Sequence, residues 1–246
     1  MDRMLYVAMT GAKQTMYAQA VNNHNLANAN THGFRESMAY AYTEPLRGPV
    51  YDSRDYVQVA NEAIDFSTGA MQTTGRDLDV AIQGDGFLAV QAEDGTEGYT
   101  RAGDLHIDGQ GIMRLGNGLA VLGDGGPIAI PPAESILIGT DGTITIRPLG
   151  GEASGVVAME RLRLVNPPTE NLVRGVDGLF RQRDGTNAPA DANVRVASGM
   201  LETSNVNTVE ALTRMMELTR HYETQVKVMS TADNLGKSNN RLLGLS

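Results

Sequence analysis

The sequence predicts an α+β fold: N- and C-terminal helices forming a coiled-coil-like assembly domain, with a central, mainly antiparallel β domain. Three observations carry this reading. Apolar residues near both ends recur at three-four spacing, the mark of one helical face. Between about residues 77 and 200, short apolar runs are cut by Asp-Gly and Asn-Gly dipeptides, which signal tight turns and hairpins. Finally, Lys13 is the one formally charged side chain between Ala8 and Asn30. A solvent-facing helix normally carries a charged outer face, so this one expects neighbours on most sides. Its many Asn and Gln exclude lipid as that neighbour, because unsatisfied polar groups are costly there. A polar, closely packed protein assembly is left.

Residues 1–35 form the first part of the assembly domain. A helix is expected over 3–28, where Leu5, Ala8, Ala12, Thr15, Gln19, Asn22 and Leu26 follow one stripe, with Met9 and Met16 beside it. Such a helix is a rod of roughly 40 Å. The run Asn22 to Arg35 then ends it. Asn competes for backbone hydrogen bonds, Gly33 takes positive φ at no steric cost, and Phe34 anchors the chain past the turn.

Residues 36–76 read as an extended, irregular linker, from Pro45, Gly48, Pro49 and the polar stretch Tyr51 to Tyr56. Residues 77–200 form the β domain. Its runs include Leu78–Ile82, Phe87–Val90, Leu119–Leu122 and Ile144–Ile146, punctuated by turns such as Asp94-Gly95, Asp141-Gly142 and Asp184-Gly185. Many short strands with frequent turns predict an antiparallel barrel or sandwich-like domain. Residues 201–246 close the assembly domain with a helix over 207–235. Leu212, Met215, Thr219, Tyr222, Val226 and Met229 make its seam. Glu210 with Arg214, Glu217 with Arg220 and Glu223 with Lys227 pair off the seam. Asn205, Asn207 or Thr208 is the expected cap.

Composition excludes several function classes. The chain has 246 residues and a net charge of -9, with no Lys/Arg cluster, so nucleic acid is not an expected partner. It has no Cys, which removes thiolate catalysis and Cys-ligated zinc. No run approaches the ~20 apolar residues of a membrane span, so lipid insertion is not expected. The start lacks the basic and apolar regions of a cleavable signal, so export is expected to use another route.

Candidate chemistry is sparse. The Asp-Gly repeats admit a calcium reading, but their glycines lack nonapeptide spacing, and hairpin turns account for them. Gly84-Asp85-Gly86 lacks the Gly-Lys-Ser/Thr of a phosphate loop. His24, His32, His106 and His221 are scattered, without a carboxylate or third His at ligand spacing. Asp77 and Asp79 sit at i,i+2 beside a strand, where a surface or turn role is the default. No catalytic residue, cofactor or metal is therefore expected.

Three blocks then resemble one family. Asn25-Leu26-Ala27-Asn28 with Gly33-Phe34-Arg35 looks like the signature of flagellar axial proteins, the rod and hook subunits. Leu78 to Phe87, continuing into Tyr99-Thr100-Arg101-Ala102-Gly103, is similar to the β domain of the hook protein and of the FlgF and FlgG rod types. Ser198-Gly199-Met200-Leu201-Glu202, through Ser204-Asn205-Val206-Asn207 and on to Tyr222-Glu223, resembles their C-terminal signature. The opening Met1 to Tyr6 and the run Glu97 to Arg101 look more like the FlgF type than the FlgG type.

The resemblance implies a structural subunit of the basal-body rod, exported unfolded and assembled beneath a cap into a torque-transmitting helical tube across the periplasm. Its implied partners are copies of itself, other proximal and distal rod subunits, and the rod cap. The assembly interface is expected on Leu5, Ala8, Ala12, Asn25, Leu26, Ala27, Asn28, Gly33 and Phe34, and on Leu212, Met215, Tyr222, Val226 and Met229. A secreted calcium-binding β protein and a peptidoglycan-active enzyme stand as alternatives from other classes.

Overall fold

The structure, a computed structural model, describes residues 2–46, 54–59, 63–149 and 155–244. The chain divides into two compact units. One holds Met1–Ala29, Arg35–Asp65 and Val206–Ser246; the other holds Asn30–Phe34 and Phe66–Asn205.

The first unit is built on two helices, α1 (Asp2–Ala27) and α2 (Thr208–Leu243). At ~1.5 Å per residue they are rods of about 39 and 54 Å. Asn207 starts α2: its Oδ1 accepts from the backbone N–H groups of Val209, at 3.0 Å, and Glu210, at 3.3 Å. Asn28 ends α1, since its backbone N and its side-chain Nδ2 both donate to the His24 carbonyl, at 3.2 and 2.9 Å. Two antiparallel strand pairs complete the unit. Ser37–Met38 pairs with Ala63–Ile64, and Ala41–Leu46 with Arg54–Val59. These lie in the stretch expected to be irregular linker. Pro45 fits the second pair because both strands of a two-stranded ribbon are edges. Gly48, Pro49 and Tyr51 lie outside the described residues.

The second unit is built of short antiparallel strands. Its nine-stranded sheet runs in the order Leu172–Arg174, Phe180–Gln182, Glu97–Thr100, Phe87–Gln91, Ala120–Gly123, Met113–Leu115 and Leu105–Ile107. Gly126–Pro127 and Leu164–Val165 pair off this path. A three-stranded sheet, Ala133–Ile138, Thr143–Pro148 and Val157–Arg161, packs Ile138, Ile144 and Ile146 into the same core as Leu88, Leu105 and Val121. Val80–Gln83 pairs with Arg195–Ser198, and Met71–Thr73 with Met200–Glu202.

The α+β class with its coiled-coil-like helical domain is corrected here. Among the described residues α1 and α2 are the only α-helices, and the long stretch between them is strand and turn. The fold is mainly β, with a helix at each end. The helices also do not make a domain alone, since strands from residues 35–65 share their unit. The packed side of α2 within the chain shares Met215, Tyr222 and Met229 with the expected seam. The least exposed positions run Ala211, Met215, Leu218, Tyr222, Gln225, Met229 and Ala232, whereas Leu212, Thr219 and Val226 are exposed. Apolarity favours the larger residues in a sequence reading; close helix approach favours the smaller ones.

The turns explain the repeated Asp-Gly dipeptides. Three of them are Asp-Gly-Thr: Asp94-Gly95-Thr96, Asp141-Gly142-Thr143 and Asp184-Gly185-Thr186. In each, the carboxylate accepts from both the Thr backbone N–H and the Thr hydroxyl. Gly142 holds φ at +84°, a conformation open to Gly. The Asp-Gly dipeptides are thus tight turns closed by their own carboxylates. These bonds favour the ionised form, led by the Thr hydroxyl at Asp94 and Asp141 and by the Thr186 N–H at Asp184, and hold all three carboxyls below the usual aspartate range.

A depressed carboxyl contributes stability that is present above its unfolded pKa and is lost as pH falls through the folded one. The β unit should therefore weaken progressively as pH drops below about 4. Replacing Asp94, Asp141 and Asp184 together by Asn should flatten that part of the acid response. Urea midpoints measured across this range check it; an unchanged acid slope would contradict the turn assignment.

Candidate functional site

Within the helical unit, α1 presents small and polar side chains to α2. Ala8, Ala12, Val21, Asn22 and Asn25 are buried. A Cβ on Gly11 would stand 3.2 Å from the Gln225 side chain, so the backbone approach is close there. Asn22 Nδ2 donates to the Ala211 carbonyl of α2 at 2.8 Å, and Gln19 Nε2 to Thr219 Oγ1 at 3.4 Å. The Asn and Gln that exclude lipid thus bridge or back the helix pair.

Asn25 does a second job in this unit. Its Nδ2 donates to the Ser37 carbonyl at 2.7 Å, and its Oδ1 accepts from the Ser37 N–H at 2.9 Å. A side-chain amide therefore imitates a strand neighbour and ties the chain after the joint to α1. Glu36 lies alongside, with Arg214 of α2 3.7 Å from its Oε1. Burial raises the Glu36 pKa; the Arg214 charge opposes this, and the charges of Glu210 and Asp65 add to it.

Phe34 and Gly33 belong to the β unit. Gly33 has φ +68° and donates its N–H to the Glu202 carbonyl at 2.9 Å. A Cβ there would fall 2.3 Å from the Arg101 backbone carbon, so only Gly fits. Phe34 lies beneath the Arg174 guanidinium, 4.7 Å from ring centroid to charge, and Arg174 also covers Phe180 at 5.1 Å.

Behind this contact lies a buried ion pair. Arg101 Nε donates to Glu202 Oε2 at 2.8 Å, with both side chains almost fully buried. Nη2 of the same guanidinium donates to the carbonyls of Ile82, at 3.1 Å, and Gly84, at 2.7 Å. Glu202 Oε1 accepts from the Gly69 N–H at 2.9 Å. The Arg101–Glu202 pair thus joins the second and third sequence blocks, and the Gly33 N–H on the Glu202 carbonyl brings in the first.

The other expected positions are distributed as follows. Met215, Tyr222 and Met229 lie on the packed side of α2, partly buried. Leu26 and Asn28 are half-buried, and Leu5, Ala27, Leu212 and Val226 are exposed. Sequence reasoning passed over Val21, Ala211, Gln225 and the Arg101–Glu202 pair. The available signal was charge placed beside small and apolar residues, in Arg101-Ala102-Gly103 and Gly199-Met200-Leu201-Glu202.

The chemistry open to this arrangement is binding and packing. Asp79 is buried, 3.5 Å from Arg76, and its backbone pairs with Asp104. Among the described residues no group of three or more His, Asp or Glu is placed to hold a metal, and no helix is long and apolar enough to cross a membrane.

Breaking one partner of a buried ion pair typically costs ~3–5 kcal/mol, because the other charge is left buried. Arg101→Met should lower the unfolding free energy of the β unit by about that amount. Adding Glu202→Gln should recover part of the loss, since the amide oxygen keeps the Gly69 bond and removes the charge. Urea unfolding of the three proteins tests this, and a double variant no better than Arg101→Met would contradict it.

Comparison with known proteins points one way. Residues 197–242 match the family described as flagellar basal body rod FlgEFG protein C-terminal. Residues 81–146 match the flagellar hook protein FlgE/F/G D1 domain. The flagellar basal-body rod protein FlgF of Escherichia coli (strain K12) is 42% identical, over 100% of both chains. FlgF of Salmonella typhimurium is 40% identical, also over 100% of both. The flagellar basal-body rod protein FlgG of Bacillus subtilis is 32% identical, over 96% of this chain and 97% of its own.

Proposed function

The chain belongs to the FlgF family of flagellar basal-body rod proteins, and from that premise we propose that it is a proximal-rod subunit, joining copies of itself and other rod subunits in a helical tube. The tube crosses the periplasm, transmits torque and forms part of the export channel. The subunit is added beneath the rod cap and carries out no catalysis. The higher identity to FlgF than to FlgG supports the proximal rather than the distal position.

One observation carries the assembly reading: the helices have apolar residues left over. On α1, Leu5, Tyr6, Val7, Met9 and Met16 are exposed; on α2, Val209, Leu212, Met216, Val226 and Leu235 are exposed. On α1 the packed face uses mainly Ala, Asn and Gly instead, and on α2 Ala211 and Ala232 are its most buried positions. A surface of this kind on two long helices marks an interaction site. Heterologous contacts that do not close on themselves build helical polymers, which suits a rod. The expected contact residues are Leu5, Leu212 and Val226, with Leu26, Ala27, Phe34, Tyr222 and Met229 as further positions of the same interface.

The exposed positions separate assembly from folding. Leu212→Asp and Val226→Asp should leave the circular dichroism and melting of the purified chain unchanged. A carboxylate buried at a subunit contact without a partner costs several kcal/mol, so both should abolish motility and remove the chain from basal bodies. Tagged chains are followed through basal-body purification. Normal incorporation of both variants would place the contact surface elsewhere.

A further inference from the structure

All sulfur in this chain is thioether: it has 12 Met and no Cys. Met9, Met16 and Met216 are 48%, 56% and 55% exposed, whereas Met113 is fully buried in the β core. Met71 and Met159 of the β unit are exposed as well, but the three on the helices sit within larger apolar strips. Leu5, Met9 and Met16 follow one another along one exposed flank of α1. Val209, Leu212 and Met216 do the same on α2. Both strips border the faces where the helices meet, which Ala8, Ala12 and Asn22 occupy on α1 and Ala211 and Met215 on α2, and they remain exposed.

We propose that Met9, Met16 and Met216 form an oxidant-sensitive modification site, at which sulfoxide formation blocks assembly of the subunit. This rests on the assembly reading above. The co-reactant is a peroxide. A sulfur lone pair attacks one peroxide oxygen, the O–O bond breaks, and an S=O bond forms. Sulfur is oxidised by two electrons, and hydrogen peroxide is reduced to water. The product is a polar, chiral hydrogen-bond acceptor in place of a flexible apolar group. Closing a subunit contact over such an acceptor without a donor weakens it by about fivefold or more per site. Neighbouring subunits then cover the same sulfurs, so sensitivity is confined to the interval between export and assembly. Methionine sulfoxide reductases reverse the change.

The test is a competition inside one cell. The wild-type chain and a Met9→Leu/Met16→Leu/Met216→Leu chain, with different tags, are co-expressed, pulsed with hydrogen peroxide and counted in purified basal bodies. Without peroxide the two should enter equally. With peroxide the ratio should shift about fivefold or more toward the Leu chain. Peptide mass mapping of purified wild-type chain should find oxygen added to Met9, Met16 and Met216 well before Met113, and the same three should be protected in assembled rods. An unchanged ratio under peroxide, or equal oxidation of Met113, overturns the proposal. Absence of both untreated chains from basal bodies would overturn the rod assignment itself, and this consequence with it.

Discussion

The β unit depends on one buried charge pair. Arg101 and Glu202 are 101 residues apart in sequence and 2.8 Å apart in space. Around them gather the Ile82 and Gly84 carbonyls, the Gly69 N–H and the Phe87 ring. Each polar atom of the pair that hydrogen-bonds does so to a different part of the chain. Two buried charges are tolerated only when geometry and further hydrogen bonds compensate for lost water, and this pair has both. The pair also explains the glycines beside it. Gly33 passes within a Cβ's length of the Arg101 backbone, and a Cβ on Gly103 would reach the Val80 carbonyl. Side chains at those positions would push the strands off the ion pair.

The helical unit solves a different problem with similar means. Its helices approach closely because Ala8, Gly11 and Ala12 are small, and side-chain amides supply the polar contacts. Close packing on these small residues leaves several large apolar ones outside. A free subunit therefore carries Leu, Val and Met on its helical flanks, which is unfavourable in water and favourable in an assembly. The low charge of α1 has the same origin: an outer face that is to be covered has little use for Lys or Glu. The β unit shows the opposite habit. Its exposed turns are rich in Asp, and each Asp-Gly-Thr turn satisfies its own carboxylate. Summed over the chain's ionisable residues the net charge is -9, and most of the acidic side chains lie in residues 66–205. The apolar helical flanks and the acidic turns are two surfaces of different chemistry.

Much was legible in the sequence because it depends on neighbours along the chain. Three-four spacing marked α1 and α2, Asn28 and Asn207 marked helix ends, and the Asp-Gly dipeptides marked turns, since each is a local contest for backbone hydrogen bonds. The ordered blocks around Asn25, Arg101 and Glu202 were enough to place the chain in its family. Tertiary structure alone decided the rest. Periodicity gives a helix face only to within a residue, so whether Leu212 or Ala211 meets α1 depends on how near the helices come. The strands within residues 36–76 carry no strong pattern, because a two-residue ladder such as Ser37–Met38 with Ala63–Ile64 is held by partners far along the chain. No spacing rule pairs Arg101 with Glu202 either. Their attraction acts through space, and only the folded backbone brings the two charges together out of water.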